Sequence, residues 1–361
     1  MHSLSSHSSR IRGFNCTPKG SRARGSRLGI AALLAASAVA CGDDESGTVA
    51  LADSASLEAV TNNTLRIPTT VAVREGVAWV VESQFDQYAP FGGAGMPGDF
   101  RILGIPLNGG ALQTIALPPN TFPEGIAVSK GGNLFVGSVA RGDIYNVPAG
   151  ETEARLFLPT EVLQNSAIGL TVSTDSQTLW VCDTNPTPAM GELATGAVVG
   201  IGITDGEVKA RHELEPSATG AFCNDLVMSP DGALWITESF GGRIFRITDD
   251  ELFDDNSAEV WLDDPEELAG APFGVNGIAL LGGRLFLVNS TYGTLMSIDP
   301  SLENPSHDDI NLIALTEDDD AVALANPDGI TVLNDRELLI VENGLGLGDE
   351  GKRLVRVDVA R

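Results

Sequence analysis

The chain has 361 residues, 43% of them hydrophobic but only 6% aromatic, with 49 acidic side chains against 22 basic ones. A net charge of −27 repels nucleic acid and anionic membrane surfaces, which excludes a DNA- or RNA-binding role. Forty-one glycines, many short alternating apolar runs and no long helical periodicity argue for an all-β body.

The first 40 residues hold Arg10, Arg12, Lys19, Arg22, Arg24 and Arg27 and no acid, followed by an apolar run from Leu28 to Ala40. A basic segment and an apolar run of this length read as an export signal rather than a membrane-spanning helix. Ala38, Val39 and Ala40 before Cys41 resemble a bacterial lipoprotein cleavage site, although leucine is usual where Ala38 stands. The expectation is a signal peptide over 1–40, lipid on Cys41, a tether over 41–56 and one folded domain over 57–361. Membrane contact would run only through that lipid, in the cell envelope; the alternative is a soluble secreted protein cut nearby. Export leaves 16 basic residues against 49 acidic ones, a net charge of −33. Beyond Cys16 and Cys41 remain Cys182 and Cys223, which form either a disulfide or two buried thiols.

Along the rest of the chain a hairpin pattern recurs. It appears as IPTTVAVREGVAWVVES from Ile67, FPEGIAVSKGGNLFVGS from Phe122, NSAIGLTVSTDSQTLWVCD from Asn165, FCNDLVMSPDGALWITES from Phe222, GVNGIALLGGRLFLVNS from Gly274 and ANPDGITVLNDRELLIVE from Ala325. The residue before the glycine-like position is Thr69, Glu124, Ile168, Asn224, Asn276 and Asp328, at spacings of 55, 44, 56, 52 and 52. Those are lengths of four-stranded propeller blades, and further apolar runs such as RIFRIT and AEVWL supply outer strands. The last repeat ends after RLVRVDVA without an outer strand, and residues between about 48 and 64, including LEAVT from Leu57, are placed to close the ring. The fold class is therefore a six-bladed β-propeller with four-stranded blades, closed by an N-terminal strand and read as a monomer.

The leading strands of a propeller line its central channel, so the six aligned residues meet there. Glu124, Asn224, Asn276 and Asp328 are oxygen donors that are costly to leave unpaired. Two carboxylates and two amides without imidazole or thiolate suit one divalent cation, Ca²⁺ first, then Mg²⁺ or Mn²⁺, with Zn²⁺ the poorest fit. Second strands return to the same rim with Glu82, Ser83, Asp183, Glu238, Asn289 and Glu342, candidates for orienting ligands or substrate, as is Asp225 beside Asn224. The acidic runs at 249–255 and 317–320 read as solvated loops, and GLGLGDEG opens no helix and so binds no nucleotide. FGGAGMPGD after Phe91 is a long loop above the rim, either a lid or a plain connection.

The ordered set, with Glu124, a skipped repeat at Ile168, then Asn224, Asn276 and Asp328, resembles the senescence marker protein/gluconolactonase (regucalcin-like) propellers, with paraoxonases as more distant relatives. The resemblance spans residues 65 to 359 and implies a cation held on those four residues. It also implies a metal-dependent hydrolase of lactones or esters, with Asp328 as ligand and base, acting on a small molecule. The family's substrate-gripping arginine is replaced by Phe222, which points to an apolar substrate, and the paraoxonase-like histidine pair is absent. His212 and His307 are expected outside the channel and solvated, so a lyase of the streptogramin-inactivating type lacks its histidine. The other reading is a non-catalytic, surface-anchored propeller that binds a ligand or protein partner and uses the ion only for rigidity.

Overall fold

The computed structural model describes residues 51–361 except 62–63, 188–191, 257, 349–350 and 361, so the expectations for residues 1–40 and for Cys41 fall outside the described residues. Short strands dominate, and the helical elements are single 3₁₀ turns such as Phe85–Gln87 and Ala89–Phe91. Among the described residues no helix is long and apolar enough to cross a membrane.

The strands build four separate four-stranded antiparallel sheets and one nine-stranded sheet. Their leading strands are Pro68–Arg74, Pro123–Val128, Ser166–Val172, Cys223–Met228, Val275–Leu281 and Pro327–Val332, the repeats that the hairpin pattern marks. Each returns through a tight turn into a second strand buried on both faces, for example Leu234–Glu238, and its alternating β-branched and aromatic residues fill the layers between sheets. Leu51–Ala59 lies in the nine-stranded sheet, antiparallel to Arg353–Ala360 and parallel to Asn311–Glu317. The strand begins at Leu51, within the 48–64 stretch expected to close the ring, so residues 51–56 belong to the sheet rather than to the tether.

All six leading strands break register at one place, the site residue and its successor: 69–70, 124–125, 168–169, 224–225, 276–277 and 328–329. A bulge there puts two residues opposite one and turns the first side chain off the sheet plane. The leading strands also approach each other closely. A Cβ on Gly125, Gly169, Gly277 or Gly329 would lie 2.2, 2.3, 2.3 or 2.8 Å from the carbonyl oxygen of Ile168, Asn224, Asp328 or Thr69, respectively. Thr69 Oγ1 donates to the Glu124 carbonyl at 2.9 Å, and Ile278 N–H donates to Asp225 at 3.2 Å. The neighbouring strand thus lies against these residues, and the glycine after Glu124, Ile168, Asn276 or Asp328 is what permits the approach there.

Candidate metal centre

Glu124, Asn224, Asn276 and Asp328 line one cavity of about 560 Å³, each at most 7% exposed. Ile168 lines it too as an apolar gap in the set, while Thr69 is fully buried and bonded to Ser83 and to the Glu124 carbonyl. The side-chain amides are aimed by hydroxyls that follow the second strands. Asn224 Nδ2 donates to Ser239 Oγ at 2.7 Å, and Ser239 donates onward to the Val275 carbonyl at 2.5 Å. Asn276 Nδ2 donates to Ser290 Oγ at 3.0 Å, and Ser290 donates to the Pro327 carbonyl at 2.6 Å. Each serine therefore occupies an amide NH₂ and ties it to the residue before the next site residue. With the NH₂ groups engaged, the amide oxygens remain as acceptors. Asn343 Nδ2 donates to Asp328 Oδ2 at 2.7 Å.

The carboxylates are electrostatically strained. Burial, then the charges of Asp328 and Asp225, raise Glu124 well above its ordinary value. Burial pushes Asp328 up to about 7 against the hydrogen bonds from Asn343 and Asn276, and Asp225 adds to the rise. Asp225 is likewise pushed up to about 7 by burial, although the N–H groups of Leu226 and Ile278 bond to it. Glu124 Oε2 is buried with no hydrogen-bond partner among the described residues. An orphaned carboxylate oxygen, a second strained carboxylate and two amides with their NH₂ groups engaged make a donor set that fits a hard divalent cation. No group of three or more His, Cys, Asp or Glu side chains with metal-binding spacing occurs among the described residues, consistent with a set that is half amide.

The remaining expected residues divide. Phe222 lines the cavity, whereas Asp225 lines a second cavity of about 310 Å³ formed between the leading strands. Glu238 and Glu342 line neither. Glu238 accepts the N–H groups of Phe222, Phe240 and Gly241 and pairs with Arg243 at 3.0 Å. Glu342 accepts the Ala325 N–H at 2.7 Å and pairs with Arg353. Glu82 is held by Arg66 and Arg101, and Asp183 by Arg211 and by the N–H groups of Gln164 and Asn165. These acids fasten the entries of four of the six leading strands to their own sheets. Cys182 and Cys223 form a disulfide with Cα atoms 5.3 Å apart, joining two neighbouring sheets next to Asn224. His212 is buried rather than solvated, bonded to the Leu252 carbonyl, and His307 bonds Asp264; neither lines the cavity.

Ser239, Ser290 and Asn343, with the cavity's phenylalanines other than Phe222, were not assigned from sequence. The signal for the first three was legible: each directly follows the second-strand acid or amide, in TES, VNS and VEN.

Residues 110–147, which contain Glu124, match the strictosidine synthase-like N-terminal family. No curated protein matches the chain. Among solved structures, regucalcin from Agrobacterium tumefaciens, described as a calcium-binding protein, aligns at TM-score 0.60 and 12% identity over 84% of this chain and 95% of that one. A putative gluconolactonase aligns at TM-score 0.56 and 13% identity, over 84% and 92%. Virginiamycin B lyase from Staphylococcus aureus aligns at 0.52 and 18%, over 79% and 80%. At these identities the likeness is one of fold, and the chain has the all-β propeller architecture shared by the gluconolactonase-like proteins.

Proposed function

We propose that the protein is a divalent-metal-dependent hydrolase of lactones or esters, working in the channel of a six-bladed ring that Leu51–Ala59 closes. The ring reading is supported by the contacts that run from each leading strand to the next and from Gly329 back to Thr69. The observation that carries the functional reading is the buried, unpartnered Glu124 oxygen beside the strained Asp328 and two oriented amides.

Glu124, Asn224, Asn276 and Asp328 would hold the ion, and the all-oxygen set favours Ca²⁺ over Zn²⁺. When bound, the cation supplies the positive charge that stabilises an oxyanion developing on a substrate carbonyl. Asp328 is the chain's base: buried against Asn343 and facing the cavity, it is placed to take a proton from a water attacking that carbonyl. Asn343 orients its carboxylate, and Glu124 contributes charge for the ion. The apolar cavity walls limit bulk water around the reacting carbonyl.

Elemental analysis of purified protein, then hydrolysis of a lactone and ester panel with and without chelator, tests the reading. Metal at one equivalent and turnover lost on chelation are expected; full turnover after metal removal overturns it. Asp328→Ala separates the enzyme from a binding propeller, since the enzyme loses turnover while keeping its fold.

A further inference from the structure

The cavity above the site residues is the size of a ligand pocket, and its lining is one-sided in chemistry. Among the described residues its only ionisable side chains are Glu124 and Asp328, and no lysine, arginine or histidine reaches it. A divalent cation on two carboxylates leaves that end of the pocket without net charge. The other polar side chains of the lining, Asn326, Asn343 and Ser290, already donate to the Leu345 carbonyl, to Asp328 and to the Pro327 carbonyl, so an anionic group or a run of sugar hydroxyls would be desolvated there with little compensation.

The walls are aromatic and come from two parts of the chain. Phe85 and Phe91, 5.2 Å apart between ring centroids and edge-on, come from the two 3₁₀ turns after the second strand of the first sheet. Phe222, Phe240 and Phe273 form a second group with centroids 5.1 to 5.9 Å apart. The backbone N–H groups of Phe222 and Phe240 both bond to Glu238, so the same arginine-paired acid that fastens the strand entry also fixes two of these rings. Phe91, Phe240 and Phe273 are only partly buried, and Leu345 extends the apolar lining. Clustered aromatic surface left open at a pocket is a ligand-binding feature.

We infer that the ligand of this site is an uncharged lactone or ester carrying a large apolar substituent, a medium-length alkyl chain or an aromatic ring, and not an aldonolactone or a sugar acid. The carbonyl part of this inference rests on the proposed hydrolase; the apolar part rests on the pocket walls alone. Two measurements on the calcium-loaded full chain keep them apart. Calorimetric binding of 2-alkylcyclopentanones, unreactive carbonyl compounds, from methyl to octyl is expected to tighten by about fourfold per methylene until the cavity is full. Hydrolysis of the matching γ-lactones is expected to rise in kcat/KM by a similar factor, with gluconolactone at least about 100-fold poorer than the octyl lactone.

Affinity that does not grow with chain length, or gluconolactone as the better substrate, overturns the inference whatever the turnover. Chain-length-dependent binding with no hydrolysis of any lactone or ester supports the ligand class and sinks the hydrolase instead. Phe222→Arg removes an interior wall; Phe91→Ser changes a half-buried one and keeps the test open should the first variant not fold. Phe91→Ser is expected to weaken octyl binding about tenfold and leave methyl binding unchanged, and equal losses for both overturn the placement of the chain against that wall.

Discussion

Two sets of buried carboxylates lie at the corresponding ends of adjacent strands in this molecule, and they are treated in opposite ways. Glu82, Asp183, Glu238 and Glu342, at the ends of second strands, are fully buried and fully answered, each by an arginine and by backbone N–H groups. Glu124 and Asp328, on leading strands, are nearly as buried but have only amides and other acids for company, and one Glu124 oxygen has no partner among the described residues. Burial therefore does not separate scaffold from site here; satisfaction does. An unanswered buried charge persists in a fold when something outside the chain answers it.

The largest effect expected from breaking this contrast is on the scaffold side. Glu238→Ala leaves the Arg243 guanidinium and the N–H groups of Phe222, Phe240 and Gly241 without their acceptor. Loss of one partner from a buried pair costs roughly 3–5 kcal/mol, read as a lower denaturant midpoint. The same loss with and without calcium is expected; a loss that calcium repairs would place Glu238 in the site. Next in size, reducing the Cys182–Cys223 bridge, which spans 41 residues, is expected to cost about 3–4 kcal/mol. Because Cys223 precedes Asn224, reduction is also expected to weaken calcium binding, and unchanged affinity would show that the bridge serves the scaffold alone.

On the site side, calcium itself is the test. At 100 times its Kd the ion is expected to add about 2.7 kcal/mol, and Glu124→Gln to abolish that gain while leaving the metal-free protein no less stable. The sign of the pH dependence follows from the raised carboxyls. In metal-free protein Asp225 and Asp328 hold their protons to about pH 7, against ordinary values of 3.8, and Glu124 is shifted the same way. The folded state therefore binds more protons than the unfolded state above pH 4. Stability is highest below that and falls as pH rises through 7. Calcium stabilisation is expected to be larger at pH 8 than at pH 5, measured by thermal unfolding; an equal gain at both would mean that the ion binds elsewhere.

The same contrast decides what could be read without coordinates. The repeat was legible because strand alternation and the polar residue before glycine recur at blade-length spacing, so leading strands and site residues could be aligned register by register. The recurrent bulge was not, since it is a property of pairing between strands, and neither was the point within 48–64 at which the first strand begins. Glu238 and Glu342 looked like rim acids available to a ligand because their answering groups, Arg243, Arg353 and the N–H groups before each leading strand, are set by three-dimensional proximity. His212 seemed solvated for a similar reason: an outer strand at a sheet edge is exposed in principle, but here Trp180 and Leu252 cover it. The aromatic walls come from loops, where no periodicity aims a side chain.

The smallest expected effect sharpens the comparison most, because it leaves every charge in place. Ser239→Ala removes the hydroxyl that accepts from Asn224 Nδ2 and donates to the Val275 carbonyl. As a scaffold change it deletes two hydrogen bonds, worth about 1 kcal/mol each. As a change to the site it frees the Asn224 amide to turn, so that NH₂ competes with oxygen for the cavity. Loss of such an orienting partner typically lowers metal affinity 10- to 100-fold. Ser297→Ala gives the control: this buried serine sits on Thr294–Ile298 and lines neither cavity. Calcium titrations of the two variants should therefore diverge, with affinity lost in Ser239→Ala and retained in Ser297→Ala at comparable stability. Equal affinities would mean that the amide of Asn224 needs no orientation, and the hydroxyls after the second strands would then belong with the arginine-paired acids as fasteners of the sheet.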